Sequence, residues 1–129
     1  MQTVKLDERL YRSEADNGVT VMSELLPWVR SVAVGIWVSR ASAHEKRTKM
    51  GVSLLIEHMV FKGTPTYDNI WGVLEDHGAS FNGTTWVDRT NYFETLPASD
   101  ENLEFALKLE ADRMVNSSIA QEDFDKEMT

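Results

Sequence analysis

Gly51-Val52-Ser53-Leu54-Leu55-Ile56-Glu57-His58-Met59-Val60-Phe61-Lys62-Gly63-Thr64 is a mostly apolar run with two adjacent ionisable side chains in its middle. Its unbroken apolar character up to Gly63-Thr64-Pro65 predicts a helix over Gly51 to Phe61, because proline cannot continue a helix and the residue before it avoids helical angles. The helix is expected to pack on a sheet through Val52, Leu55 and Met59. Read so, Leu54 and His58 stand one above the other at i, i+4, with Glu57 on the turn between them. That is the frame of an H-x-x-E-H zinc site, in which two histidines at this spacing hold the metal and the glutamate works on the bound water. Leu54 occupies the first position here, so the frame is present with one histidine missing. On the residues alone, a Glu-His pair on an apolar helix marks a solvated helix edge more often than a catalytic centre.

Upstream of this run, Leu10 to Glu14 and Val19 to Ser23 flank Asp16-Asn17-Gly18 and predict a hairpin, since Asn-Gly tolerates the positive φ angles of a tight turn. Residues 31–39 place Val32, Val34, Ile36 and Val38 on one face and Ala33, Gly35 and Trp37 on the other. Both faces are apolar, which predicts a central, covered strand. Residues 40–49, including His44 and Glu45, read as an exposed charged loop. Downstream, Asp68 or Asn69 can cap a second helix with Ile70, Val73 and Leu74 as its stripe and Gly78 as its stop. Phe81 to Val87 and Thr90 to Leu96 read as a hairpin around Asp88-Arg89. A long helix starts at Ser99 or Asp100 with Leu103, Ala106, Leu107 and Met114 as its core stripe. A last helix starts near Gln121, with Phe124 and Met128 facing inward, and the sequence reads as cut off inside it at Thr129. This order predicts an α+β fold, a mainly antiparallel sheet with helices over one face. Trp28, Trp37, Trp71 and Trp86 read as packing residues, and His44 and His77 as surface histidines.

At 129 residues the chain is one domain or part of one, long enough to bury roughly two-thirds of its unfolded surface. A net charge of −8 without a basic patch argues against nucleic acid or an anionic membrane as partner. With no cysteine, disulfides and thiolate metal sites are excluded, and any metal would rest on His, Asp and Glu. The first nine residues carry acids where a signal peptide needs an apolar core, and no run approaches the ~18 apolar residues of a membrane span. The expectation is a soluble, unexported, cytoplasmic chain.

Several of these segments together resemble the pitrilysin-like inverzincin zinc metallopeptidases, the family of mitochondrial processing peptidase and insulin-degrading enzyme. The carriers are Asp16-Asn17-Gly18, Arg30-Ser31-Val32-Ala33, Gly51-Val52-Ser53, Glu57-His58-Met59-Val60-Phe61-Lys62-Gly63-Thr64, Phe81-Asn82-Gly83-Thr84-Thr85, Thr90-Asn91-Tyr92 and Glu110-Ala111-Asp112-Arg113-Met114. They occur in the family's order along nearly the whole chain. The resemblance implies a zinc endopeptidase architecture of which residues 1–129 are a truncated N-terminal part of the first metallopeptidase domain. Glu57 then matches the general base, His58 the second zinc histidine, and Glu127 an acid that supports the site two helical turns before a third ligand expected past Thr129. Leu54 stands where the first zinc histidine belongs. Phe81, Asn82, Gly83, Thr84 and Thr85 match the edge strand on which the family lays its peptide substrate. Zinc is the implied cofactor, held weakly or not at all by this chain, and the implied partners are a peptide or a homologous second domain or subunit, dimerisation included. Three readings follow: a metallopeptidase-family domain that is inactive with Leu54 in place, a non-catalytic peptide- or partner-binding subunit, or a bare fragment with no function of its own.

Overall fold

The computed structural model describes all residues from Met1 to Thr129, in two units, Met1–Arg30 and Ser31–Thr129. The first is a three-stranded antiparallel meander of β1 (Gln2–Lys5), β2 (Leu10–Glu14) and β3 (Thr20–Glu24), in that order. The predicted hairpin is β2–β3, with Glu14 opposite Thr20. Gly18 takes φ +90° in its turn, and Asn17 Oδ1 accepts from Val19 N at 3.1 Å, the two roles that Asn-Gly supplies. Strand β1 is an addition to the sequence reading. Its residues are short in number and all exposed, so they carry no burial pattern to read.

The second unit is a three-stranded antiparallel sheet with helices. Its strands are β4 (Ser31–Val38), β5 (Ser80–Thr85) and β6 (Thr90–Pro97), in the order β4-β6-β5. The helices are α1 (Val52–Met59), α2 (Ile70–Asp76), α3 (Asp100–Asn116) and α4 (Gln121–Glu127). The α+β expectation therefore holds. The placing of residues 31–39 as a central, covered strand does not: β4 is an edge, and β6 is the middle strand. One face of β4 is open, with Trp37 64% exposed and its ring lying back over Gly35, where any Cβ would collide with it. Gly35 makes room for that ring, which is why an apolar letter pattern on both faces does not mean burial on both.

Cores lie between the sheet and the helices. Val34, Leu96 and Ala106 form one cluster, and Ile70, Leu74 and Leu109 another, with Ala79 and Phe105 packed against both. Asn69 caps α2 by accepting from Gly72 N, and Ser99 caps α3 by accepting from Asn102 N. The stripe of α3 differs from the expected one. Ala106, Leu109, Glu110 and Arg113 are buried, whereas Leu103, Leu107 and Met114 are exposed. The two stripes lie about one residue apart around the helix, and a buried ion pair on the true stripe disguises it as a solvated face. Met128, expected to face inward from α4, is also exposed.

Candidate functional site

Helix α1 begins at a left-handed Gly51, φ +91°, and is anchored from an unexpected source. The Glu45 carboxylate accepts from Gly51 N at 2.7 Å and Ser53 N at 2.8 Å, satisfying donors at the helix start. The Ser53 and then the Gly51 amide hold its carboxyl below the usual range. Sequence reading left Glu45 in an exposed loop, and an acid six residues before a left-handed glycine was the available signal. Of the residues expected to seat α1 on the sheet, Met59 is fully buried, Leu55 is half-buried and Val52 is exposed.

Glu57 and His58 open onto a cleft of about 760 Å³ that Phe61, Lys62, Trp71, Asn82 and Glu127 also line. Thr85 Oγ1 at the end of β5 donates to Glu57 Oε2, fixing the carboxylate. Gly83 lies beneath it: a Cβ there would come within 3.1 Å of Tyr92, 3.2 Å of Phe61 and 3.4 Å of Glu57 Cγ, so a larger residue would have to push these side chains back by a few tenths of an ångström. His58 Nδ1 lies 3.0 Å from Glu127 Oε2, and Lys62 Nζ lies 2.9 Å from Glu127 Oε1. Helix α4 is thereby joined to α1, with the imidazole oriented and Nε2 left as the ring nitrogen available to a ligand. His58 first and Lys62 next hold the Glu127 carboxyl below the usual range.

Leu54 sits one turn before His58 and is 51% exposed. Its side chain offers no lone pair, and no three His, Asp or Glu side chains of the chain converge as a metal-holding group. Glu57 is bonded to Thr85 and Glu127 to His58 and Lys62, so the donors present do not by themselves fit a zinc ion, which needs three protein ligands and an open position. His44 and His77 do not complete the set. His44 Nδ1 accepts from Ala41 N at 3.1 Å, and the His77 ring stacks on Phe105 at 3.6 Å.

Strand β5 pairs with β6 alone, leaving its other edge without a strand. Along it, Phe81 packs on the core and against Trp71, with ring centroids 4.7 Å apart, Gly83 is buried and Thr85 serves Glu57. Asn82 and Thr84 fall on the opposite face by alternation. Of the four tryptophans, Trp28, Trp37 and Trp86 are each 64% exposed and Trp71 is 52% exposed, so the packing role expected of them is realised only by Trp71, at one edge of its ring.

The model of the family Insulinase (Peptidase family M16) matches residues 20–129. The chain belongs to this family. Among its relatives, the zinc protease YmxG of Bacillus subtilis is 35% identical over 118 residues, covering 90% of this chain, and a zinc protease of Rickettsia felis is 34% identical over 124 residues, covering 95%. The chain spans 28% and 30% of those two relatives' lengths. In fold it is similar to the periplasmic protease PqqL from Escherichia coli, with TM-score 0.86 at 24% identity, covering 98% of this chain and 15% of that one. A protease from Helicobacter pylori gives TM-score 0.83 at 24% identity, covering 92% and 29%. Family membership and the α+β metallopeptidase fold are thus shown, and the zinc-protease names belong to the relatives.

Proposed function

We propose that this chain is part of a zinc-metalloendopeptidase domain in which Glu57 stands at the position of the general base, His58 at that of one zinc ligand and Glu127 at that of the acid that orients it, and that the chain does not itself hydrolyse peptides. The observation that carries the reading is Leu54: an exposed hydrocarbon side chain one helical turn from His58, at the place where the frame requires a second imidazole. This chain's own contribution is to hold a carboxylate at Thr85 and an imidazole at Glu127, side by side over one cleft. A second reading, a non-catalytic subunit that holds a peptide by strand addition, is favoured by the free edge of β5 beside the same cleft.

The test compares four versions of the protein: as written, Leu54→His, the chain continued past Thr129 with a relative's following segment, and both changes together. Zinc content after dialysis should become stoichiometric only in the last, with cleavage of an unstructured peptide following it, because ligands of one site act as a unit. Stoichiometric zinc in the unaltered chain would refute the assignment of Leu54 as the disabling residue. Peptide-induced amide shifts confined to β5 in the unaltered chain would favour the binding subunit.

A further inference from the structure

The helix-facing side of β6 carries one acid, Glu94, between Tyr92 and Leu96. Its cross-strand neighbours are Val34 on β4 and Phe81 on β5, so the sheet gives it no side-chain donor. From α3 it faces Glu110 and Arg113, all three being buried. Tyr92 is the other titratable group nearby, its phenol pushed up to about 12 by burial, and Glu57 of α1 acts on Tyr92 rather than on Glu94. Arg113 Nε donates to Glu110 Oε2 at 2.9 Å, while Arg113 Nη2 lies 2.9 Å from Glu110 Oε1 but out of hydrogen-bond alignment. Both oxygens of Glu94, and Oε1 of Glu110, are therefore buried acceptors without a donor. Two buried carboxylates facing one guanidinium cannot both stay ionised without a large desolvation penalty. A single proton on Glu94 lessens the difficulty: it removes one buried charge and lets the Glu94 O–H donate to the Glu110 carboxylate, while Arg113 Nη1 stays a buried donor without an acceptor.

We propose that Glu94 and Glu110 share one proton through neutral pH, making the β6–α3 contact a latch that loosens when this proton is lost in alkaline solution. Burial first, and then the Glu110 carboxyl, push the Glu94 carboxyl up to about 9, with Arg113 acting in the opposite sense. A folded value above the unfolded one means that the latch is at full strength below the ordinary glutamate range, weakens above it, and is spent as pH rises through about 9. The latch reaches the cleft, because the Arg113 guanidinium lies 4.6 Å from the ring centroid of Phe61, which lines that cleft beside Glu57.

Glu94→Gln keeps the shape and an N–H donor but cannot titrate. In urea unfolding across about pH 5 to about pH 9, the unfolding constant of the wild type should rise about tenfold per pH unit relative to Glu94→Gln. A second readout needs no variant to fold: the infrared carbonyl band of a buried protonated carboxyl should be present in the folded wild type at neutral pH and vanish in alkali. Identical pH dependence in the two proteins, or no such band in the folded wild type, would overturn the proposal.

Discussion

Replacing Arg113 with methionine should be among the most damaging single changes in this chain. The side chain is 3% exposed, donates to Glu110 through Nε at 2.9 Å, and lays its guanidinium over the rings of Phe61 at 4.6 Å and Tyr92 at 4.8 Å. Arg113→Met conserves the stem but leaves Glu110 as a buried charge with no cation, and breaking a buried pair on one side typically costs about 3–5 kcal/mol. A fold of this size has about 5–15 kcal/mol in all, so a large part of it would go. Much of that loss comes from the orphaned carboxylate rather than from the pair itself. The double variant Arg113→Met/Glu110→Gln should therefore recover to within about 1–2 kcal/mol of wild type, the remainder being the lost cation–π contacts. Equilibrium urea unfolding of the two variants and the wild type measures all of this. A single variant destabilised by less than about 1 kcal/mol, or a double variant as weak as the single, would show that the pair is not the buried unit described.

Thr64 is 3% exposed, donates to Asp112 Oδ2 at 2.5 Å and accepts from Tyr67 N at 3.0 Å, so Thr64→Val should cost about 1–3 kcal/mol by chemical denaturation. Thr64 first and Asn116 next hold the Asp112 carboxyl below its ordinary value, so their support is present above that value and fades as pH falls through the lowered one. Thr64→Val should flatten the acid limb of the stability profile, and an unchanged limb would count against the assignment. Leu109→Ala, at a fully buried site, should cost about 2–5 kcal/mol. Leu107→Ala, at a half-exposed one, should stay within about 0.5 kcal/mol, and the reverse order would restore the stripe expected from sequence.

Elements whose determinants lie close together in the chain were legible. The Asn17-Gly18 turn, the Asn69 cap and the Gly78 stop each act within a few residues, and the structure uses them so. Burial that depends on partners far along the chain was not. Residues 31–39 carry the letters of a covered strand, but whether β4 sits at an edge is decided by where β6 goes. On α3, Leu103 and Leu107 look like a core stripe and Glu110 with Arg113 looks like a solvated pair. The structure inverts this because each member of that pair offsets the buried charge of the other. The signal available was the likeness itself, which singled out Glu110-Ala111-Asp112-Arg113-Met114 without saying that two of its members are buried.

Within the site, Glu57 and His58 are neighbours in sequence and were read together, whereas Glu127 lies 69 residues from His58 and became visible only through family resemblance. The three contacts that give the site its geometry, Thr85 to Glu57 and Glu127 to His58 and to Lys62, all bypass position 54. Leu54 is itself half exposed and belongs to neither core cluster. The fold is therefore indifferent to which side chain stands there, so a leucine can sit in the frame without disturbing the carboxylate or the imidazole beside it. By the same reasoning Leu54→His should move stability by no more than about 0.5 kcal/mol. A larger loss on that change would mean that Leu54 is held by packing, and that the frame has been rebuilt around a leucine rather than left waiting for a ligand.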